Sequence, residues 1–261
     1  MDKDQRRDIA QQTLKICGDG SYELDGQLVR LESTQRKGVF FGDEEWPKLA
    51  KPRSQQSKYV FANESTVTGV FNEHGQGRIA SLNFASARKP GGGFLNGAVA
   101  QEEALCYSST LYPSLLEFPS FYDKHQDGRY SDNLIYSPDV VFFRDEELNL
   151  CKPAISDVIT IAAPNAGALN SSAGLEEIFL RRIHKICDVA ADNNVTSLIL
   201  GAWGCGVFKN DPYMVAKCFA TVLPKFGIKR VRFSILGDQL DIFKEVLGEQ
   251  TIPKDQPDID L

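Results

Sequence analysis

Two adjacent glutamates, Glu102 and Glu103, are the residues of this 261-residue sequence best placed for acid–base chemistry. They lie at the start of a helix predicted over residues 100–117. Neighbouring positions on a helix point about 100° apart, so one carboxylate can act on a reacting bond while the other orients the substrate. The alternative is that both only place favourable negative charge at a helix N-terminus.

Opposing effects act on the ionisation of such a pair. The helix dipole lowers the pKa of a carboxyl group at the N-terminus, which is the wrong direction for a general acid. A neighbouring carboxylate, a bound pyrophosphate or an apolar pocket raises the pKa instead.

A glycine-rich segment precedes the two glutamates. Gly91, Gly92 and Gly93 follow a predicted strand at residues 78–84 and come before the helix. Consecutive glycines are typical of backbone that adopts a positive φ or approaches a ligand too closely for a Cβ atom. A triple glycine alone is more typical of a flexible surface turn, but its position between a buried strand and a helix favours a ligand-binding loop.

A second glycine-containing loop follows a predicted strand at residues 196–200 and contains Gly204, Cys205, Gly206, Val207 and Phe208. Asp211 and Pro212 are a typical N-cap and first helical residue, so free N–H groups of the next helix point back toward this loop. The loop is a candidate phosphate site, although neither a Walker motif nor a dinucleotide-binding glycine fingerprint is present. We interpret Cys205 as a small residue that fills a turn, because no His partner for a nucleophile is evident.

The remaining pattern predicts an α/β fold. Strands are predicted at residues 58–62, 78–84, 139–143, 158–163, 196–200 and 230–236, and helices at 64–74, 100–117, 174–192, 211–226 and 238–247. This alternation favours a largely parallel or mixed sheet, which binds ligands at the carboxyl ends of its strands. The rule selects the loops after Phe84, Ala163 and Leu200. The second of these contains Pro164 and Asn165, a predicted wall of the same cleft.

The first 57 residues differ from the rest. A helix is predicted at residues 4–17, a hairpin around Asp25 and Gly26, and a polar loop at residues 44–57. We predict that residues 1–57 form an accessory segment packed on a catalytic domain of residues 58–250, followed by a tail at residues 251–261.

Composition limits the classes of function. A net charge of -6 argues against general nucleic-acid binding, although backbone N–H groups can hold a small anion. The six cysteines are scattered without metal-ligand spacing, so we expect reduced thiols, no metal and no cofactor. The charged N-terminus and the lack of a long apolar run predict a soluble intracellular protein, cytoplasmic or nuclear, that does not bind a membrane.

The spacing of the triple glycine and the triplet Gln101-Glu102-Glu103 resembles the signature of the poly(ADP-ribose) glycohydrolases, in particular the smaller microbial type. The resemblance continues in order over about residues 59–236, through Asn63-Glu64-Ser65-Thr66, Asn83-Phe84-Ala85-Ser86-Ala87, Leu111-Tyr112, Tyr136-Ser137-Pro138-Asp139-Val140, Phe143-Arg144-Asp145, Ala163-Pro164-Asn165 and Gly204-Cys205-Gly206-Val207-Phe208. It implies a macrodomain-like three-layer α/β/α sandwich with a mixed central sheet and an N-terminal helical and hairpin extension.

The resemblance also implies a role for each part of the site. Glu103 is expected to be the general acid at the ribose–ribose bond, and Glu102 to bind the ribose hydroxyls. Residues 91–93 resemble the loop at the catalytic end, residues 204–207 the pyrophosphate-binding loop, and Phe208 the aromatic residue on the distal ribose. The implied substrate-binding set is completed by Asn83, Asn96, Gln101, Pro164 and Asn165.

The implied function is hydrolysis of poly(ADP-ribose) carried by modified proteins, mainly from the chain end, with ADP-ribose as the product. One alternative is a macrodomain that only binds ADP-ribose. Another is a hydrolase that removes single ADP-ribose units. A pure binding module has no need of paired acids beside the glycine loop, so Glu102 and Glu103 favour the enzyme.

Overall fold

Strands and helices alternate along the computed structural model, which describes residues 1–31, 36–46, 56–123 and 127–248. The strands are β1 (Ser21–Leu24), β2 (Gln27–Arg30), β3 (Val39–Phe41), β4 (Lys58–Ala62), β5 (Ile79–Phe84), β6 (Leu134–Arg144), β7 (Leu150–Ile161), β8 (Ser197–Leu200) and β9 (Arg230–Ser234). The helices are α1 (Lys3–Asp19), α2 (Thr66–Glu73), α3 (Gln101–Ser108), α4 (Leu111–Leu116), α5 (Leu175–Asp192), α6 (Pro212–Val222) and α7 (Gln239–Leu247).

The central sheet has seven strands in the order β3-β6-β7-β5-β8-β9-β4, and β1 and β2 form a separate hairpin. β7, β5, β8, β9 and β4 run parallel, whereas β6 and β3 are antiparallel to their neighbours. Residues 79–83 of β5 are all buried, as expected for an inner parallel strand covered on both faces. The order places β7, β5 and β8 side by side, so their carboxyl ends meet at one edge.

Helices cover both faces of this sheet. One layer contains α5, α6 and α7, whose buried side chains include Phe179, Phe219 and Phe243. The other contains α2, α3 and α4, with Val67, Leu105 and Leu111. Successive side chains of each strand point to opposite faces of the sheet, so they pack against both helical layers. The predicted three-layer sandwich with a mixed sheet is confirmed.

The helix predicted over residues 100–117 is wrong in one respect, because the structure divides it into α3 and α4. Ser109 lies between them with an extended backbone, φ -149°, and forms an isolated bridge with Phe142 of β6. Its hydroxyl donates to the carbonyl of Leu105 at 2.7 Å. Serine competes with the helical backbone in this way, a tertiary contact that apolar periodicity does not reveal.

The strands at one edge of the sheet also differ from the prediction. β6 is eleven residues long rather than five, with an irregularity between Ser137 and Val140. It pairs with β7 in a long antiparallel hairpin. β3 was not predicted, because three residues are too few to show a period.

The N-terminal segment contacts the core at several points. β3 pairs with β6, and the hydroxyl of Thr13 on α1 donates to the carbonyl of Tyr107 on α3 at 2.8 Å. The domain division at residue 57 stays a prediction, and the proposed tail at 251–261 lies outside the described residues. Within the described ranges, no helix is both long and apolar enough to cross a membrane.

Candidate active site

Three loops meet at the carboxyl ends of β7, β5 and β8 and border a cleft of about 660 Å³. This active cleft is lined by residues 84–86 after β5, Ala163 after β7, residues 202–204 and 206–208 after β8, and residues 98–105 at the start of α3. The three loops selected from the sequence therefore border one site.

Glu102 lies deep in the active cleft, with 3% of its surface exposed. Its Oε2 accepts a hydrogen bond from the N–H of Ser86 at 2.7 Å, and its Oε1 lies 3.2 Å from Nδ2 of Asn83. The amide of Asn83 is buried and also contacts Oγ1 of Thr160 at 3.2 Å. These contacts hold the Glu102 carboxyl group against the end of β5.

Burial raises the pKa of Glu102 to about 8. The N–H of Ser86 and the amide of Asn83 favour the ionised form and oppose this shift, while the neighbouring Glu103 carboxylate adds to it. Glu102 is therefore protonated at neutral pH in the free protein. Asn83 can form a hydrogen bond with Glu102 in either charge state. Its buried Oδ1 has no partner among the described residues, and if the side-chain amide rotates by 180°, Oδ1 can accept a hydrogen bond from protonated Glu102.

Glu103 faces the glycine loop and is 8% exposed. Its Oε1 accepts a hydrogen bond from the N–H of Gly93 at 2.8 Å. Gly92 adopts a positive φ of 57°, and a Cβ atom there would lie 2.5 Å from Oε1 of Glu103 and 3.2 Å from Oε2 of Glu102. Only glycine leaves room for both carboxyl groups, so the triple glycine is explained by the pair that it faces.

Gln101 fixes the start of α3 to the end of β5. β8 pairs only with residues 79–81 of β5. Beyond that point, Oε1 of Gln101 accepts from the N–H of Phe84 and its Nε2 donates to the carbonyl of Leu82, both at 2.8 Å. The side chain thus takes the place of a neighbouring strand, and this positions the two glutamates that follow it.

The loop after β8 is closed by a buried amide. Nδ2 of Asn210 donates to the carbonyl of Gly204 at 2.8 Å and to that of Pro164 at 2.7 Å. Gly204 has a φ of 76°, and a Cβ atom there would lie 2.6 Å from Cβ of Ala163. Cys205 is buried in the turn, and burial raises its pKa to about 12, so it is not a thiolate nucleophile.

The other half of this loop presents backbone to the cleft. Within the described part of the chain, the N–H groups of Gly206, Val207 and Phe208 donate no hydrogen bond. A Cβ atom on Gly206 would meet nothing within 4 Å, so the space beside these N–H groups is open. The ring of Phe208 packs 5.9 Å from that of Tyr130. Successive free N–H groups of this kind can bind an anion.

Some predicted site residues do not line the active cleft. Residues 91–93 lie behind the carboxyl pair, and Asn96 is exposed in the turn that follows. Pro164 and Asn165 are not among the cleft's lining residues: the Pro164 carbonyl accepts from Nδ2 of Asn210, and the N–H of Asn165 donates to the carbonyl of Gly128, both at 2.7 Å. Asn83 contacts Glu102, and Gln101 lines the cleft.

The sequence analysis missed a further wall of the cleft, formed by residues 64–67 after β4, residues 234–236 after β9, and Gln239. β4 and β9 are parallel to β5, so the rule about carboxyl ends would have selected these loops too. Glu64 at this wall forms an ion pair with Arg232, at 2.6 and 2.9 Å. Burial would raise the pKa of Glu64, but the hydrogen bonds from Arg232 and Ser234 lower it.

The chain is similar to known proteins over most of its length. The family model described as "Microbial-type PARG, catalytic domain", where PARG is poly(ADP-ribose) glycohydrolase, matches residues 10–145. The crystal structure of this enzyme from Thermomonospora curvata is 34% identical, with 93% of this chain and 99% of that chain covered and a TM-score of 0.84. Its complex with the inhibitor ADP-HPD is also 34% identical, with 92% and 98% covered and a TM-score of 0.82. The Deinococcus radiodurans enzyme in complex with ADP-ribose is 36% identical, with 75% and 86% covered and a TM-score of 0.70. Among the curated proteins, no significant match was found.

We expect Glu102 to make stability depend on pH between about pH 5 and 8. Its pKa is about 8 in the folded protein, whereas a glutamate in an unfolded chain ionises near pH ~4.3. The folded state therefore binds more protons in this window, and the free energy of unfolding decreases as the pH rises until Glu102 ionises. Urea denaturation of the parent and of Glu102→Gln at several pH values measures this effect. Parallel pH profiles for the two proteins would contradict it.

Proposed function

Because the chain belongs to the microbial-type poly(ADP-ribose) glycohydrolases, we propose that Glu103 is its general acid and that the protein cuts poly(ADP-ribose) mainly from the chain end. The protein is a glycohydrolase that acts on the ribose–ribose bonds of poly(ADP-ribose). The observation that carries the proposal is the buried carboxyl pair of Glu102 and Glu103, held by backbone N–H groups beside a cleft with free N–H groups on its other side.

One ADP-ribose unit fits this arrangement in a defined direction. Its pyrophosphate binds the N–H groups of residues 206–208, which supply hydrogen bonds without a cationic side chain. Phe208 packs on the distal ribose, whose anomeric carbon then faces Glu103. ADP-ribose is present in the solved Deinococcus radiodurans structures, which supports the same ligand here.

In the catalytic step, Glu103 transfers its proton to the oxygen that leaves the anomeric carbon, and the bond between that carbon and oxygen breaks. The Glu103 carboxylate then takes a proton from the water that attacks the anomeric carbon, which restores the acid. Glu102 holds the ribose hydroxyls during both steps. The N–H of Gly93 fixes the Glu103 carboxyl group at 2.8 Å, so the acid is oriented before substrate binds.

Substrate binding places the proton where the reaction needs it. Burial favours the proton on Glu102 in the free protein, because its pKa is raised to about 8. Ribose hydroxyls that donate hydrogen bonds to Glu102 stabilise its ionised form and lower its pKa. A proton released from Glu102 can then be taken up by the adjacent Glu103 carboxyl group, which passes it to the leaving oxygen.

The way in which one ADP-ribose unit is held favours cleavage at the end of the polymer. The phosphates bind one side of the active cleft and the distal ribose binds the other, which suits a terminal unit. The substrate is the polymer on modified proteins, and the net charge of -6 opposes binding to nucleic acids in general. The unit attached to protein is cleaved slowly, because an ester to a carboxylate side chain presents a carbonyl rather than a ribose oxygen to Glu103.

We expect Glu103→Gln to lower polymer hydrolysis by about 10²- to 10⁴-fold, because the amide keeps the shape of the side chain and has no transferable proton. Affinity for ADP-ribose, measured by calorimetry, should change little, since the phosphate loop is intact. Glu117→Gln, at the exposed end of α4, is the matched control. Turnover of Glu103→Gln within tenfold of the parent would assign the acid elsewhere.

Two glycine variants distinguish the effect of lost space beside the carboxyl pair from the effect of backbone strain. Gly92 and Gly75 both have positive φ, 57° and 84°, but a Cβ atom meets the two carboxyl groups only at Gly92. We expect Gly92→Ala and Gly75→Ala to lose similar stability, about 1 kcal/mol, in thermal unfolding. Only Gly92→Ala should lose most of its hydrolysis. Equal activities in the two variants would show that the glycine loop does not set the Glu103 geometry.

Product lengths test the direction of cleavage. When labelled poly(ADP-ribose) is incubated with the protein and resolved by size, monomeric ADP-ribose should dominate from the first time points. Mid-length oligomers appearing first would show internal cleavage. Efficient release of single ADP-ribose from modified protein would instead support a mono-ADP-ribosyl hydrolase.

A further inference from the structure

A second cavity, of about 490 Å³, adjoins the active cleft. The two spaces share Val99, Ala100 and Ala104 as lining residues. On its other sides the second cavity is bordered by Arg6 of α1 and by Glu147 at the tip of the hairpin between β6 and β7. Neither of these parts is needed to hold one ADP-ribose unit in the active cleft.

The position of Glu103 on α3 connects the two spaces. Glu103 lies three residues after Ala100 and four before Tyr107, so these residues share one face of the helix. Ala100 and Tyr107 line the second cavity, and Glu103 lines the active cleft. An oxygen that is protonated by Glu103 therefore leaves beside the second cavity.

We propose that the second cavity binds the adenosine of the departing chain, an inference that rests on the proposed role of Glu103. The cleaved bond joins the distal ribose of one unit to the adenosine ribose of the next. With the terminal unit in the active cleft, the leaving group is thus a nucleoside, and it begins beside Val99 and Ala100. Its sugar and base continue into the second cavity.

The lining suits a nucleoside better than a pyrophosphate. Glu146 and Glu147 repel phosphate, whereas their carboxylate oxygens accept hydrogen bonds from the exocyclic amine of adenine. Leu148 and Ala104 supply apolar surface for the base. The guanidinium group of Arg6 is planar and stacks on aromatic rings, which a purine provides.

Arg6 and Glu146 are held in place in this second cavity before any ligand binds. Nε of Arg6 donates to the carbonyl of Gly97 at 2.8 Å, and Nη1 donates to that of Met1 at 2.6 Å. The Glu146 carboxylate accepts hydrogen bonds from the hydroxyls of Ser65 and Thr68, each at 2.6 Å. A base that binds here orders few further side chains, which reduces the entropic cost of binding.

The test compares two substrates that differ only beyond the cleaved bond. One is a short poly(ADP-ribose) oligomer, and the other is ADP-ribose with para-nitrophenol on its anomeric carbon, which has no nucleoside to leave. We expect Arg6→Gln to lower kcat/KM for the oligomer by roughly three- to tenfold and to change that for the nitrophenyl substrate less than about twofold. The amide introduced by this substitution keeps a donor for the Gly97 carbonyl. Glu147→Gln, which leaves that contact untouched, should lower kcat/KM for the oligomer alone.

Arg7→Gln is the matched control, because Arg7 lies on the same helix, pairs with the exposed Asp4 and does not line the second cavity. It should leave both substrates unaffected. Equal losses on both substrates in Arg6→Gln and in Glu147→Gln would overturn the subsite, as would unchanged oligomer cleavage in the double variant. If the parent protein hydrolysed the nitrophenyl compound but no oligomer, the proposed function itself would fail.

Discussion

The carboxyl groups of Glu102 and Glu103 are almost excluded from water, and the cost of burying two acids side by side is the constraint that shapes the end of β5. Backbone N–H groups donate to both carboxyl groups, from Ser86 to Glu102 and from Gly93 to Glu103. A proton on the pair removes part of the remaining charge, and this is why burial raises the pKa of Glu102. Burial of the pair thus keeps a proton on Glu102, next to the carboxyl group of Glu103.

The loop that contains Gly92 and Gly93 must also be held in place beside the carboxyl pair. Gly92 leaves room for both carboxyl groups beside the N–H of Gly93, and the loop must then be held against α3. The hydroxyl of Tyr107 does so, at 3.0 Å from the carbonyl of Phe94 and 3.1 Å from that of Ala98. Arg6 holds the same loop from outside through the carbonyl of Gly97. The N-terminal helix thus contacts this loop at Gly97, away from the carboxyl pair.

A protein with a net charge of -6 binds a polyanionic substrate by local means. The free N–H groups of residues 206–208 supply positive potential over a few ångströms, and the proposed function places the pyrophosphate there. Arg232 neutralises Glu64 at the far wall, so the cleft does not repel the ligand there. Short-range donors can hold a small anion, while the overall charge disfavours longer nucleic acids.

The sequence by itself determined the features that depend on local pattern. Apolar periodicity identified the inner strands and most helices, Asp25 and Gly26 located the hairpin, and glycines beside strand ends identified the loops that carry the site. The α/β class followed, because strand and helix periods are properties of neighbouring residues. The paired acids could also be recognised from their position after the triple glycine.

Only the tertiary structure decided how distant segments meet. The order that makes β7, β5 and β8 neighbours, the break at Ser109 and the contact of Arg6 with Gly97 join residues far apart in the chain. The direction of the Glu102 pKa shift was decided in the same way. The helix dipole acts within one turn and can be read locally, but desolvation depends on every segment packed around the carboxyl group, and here it is the larger effect.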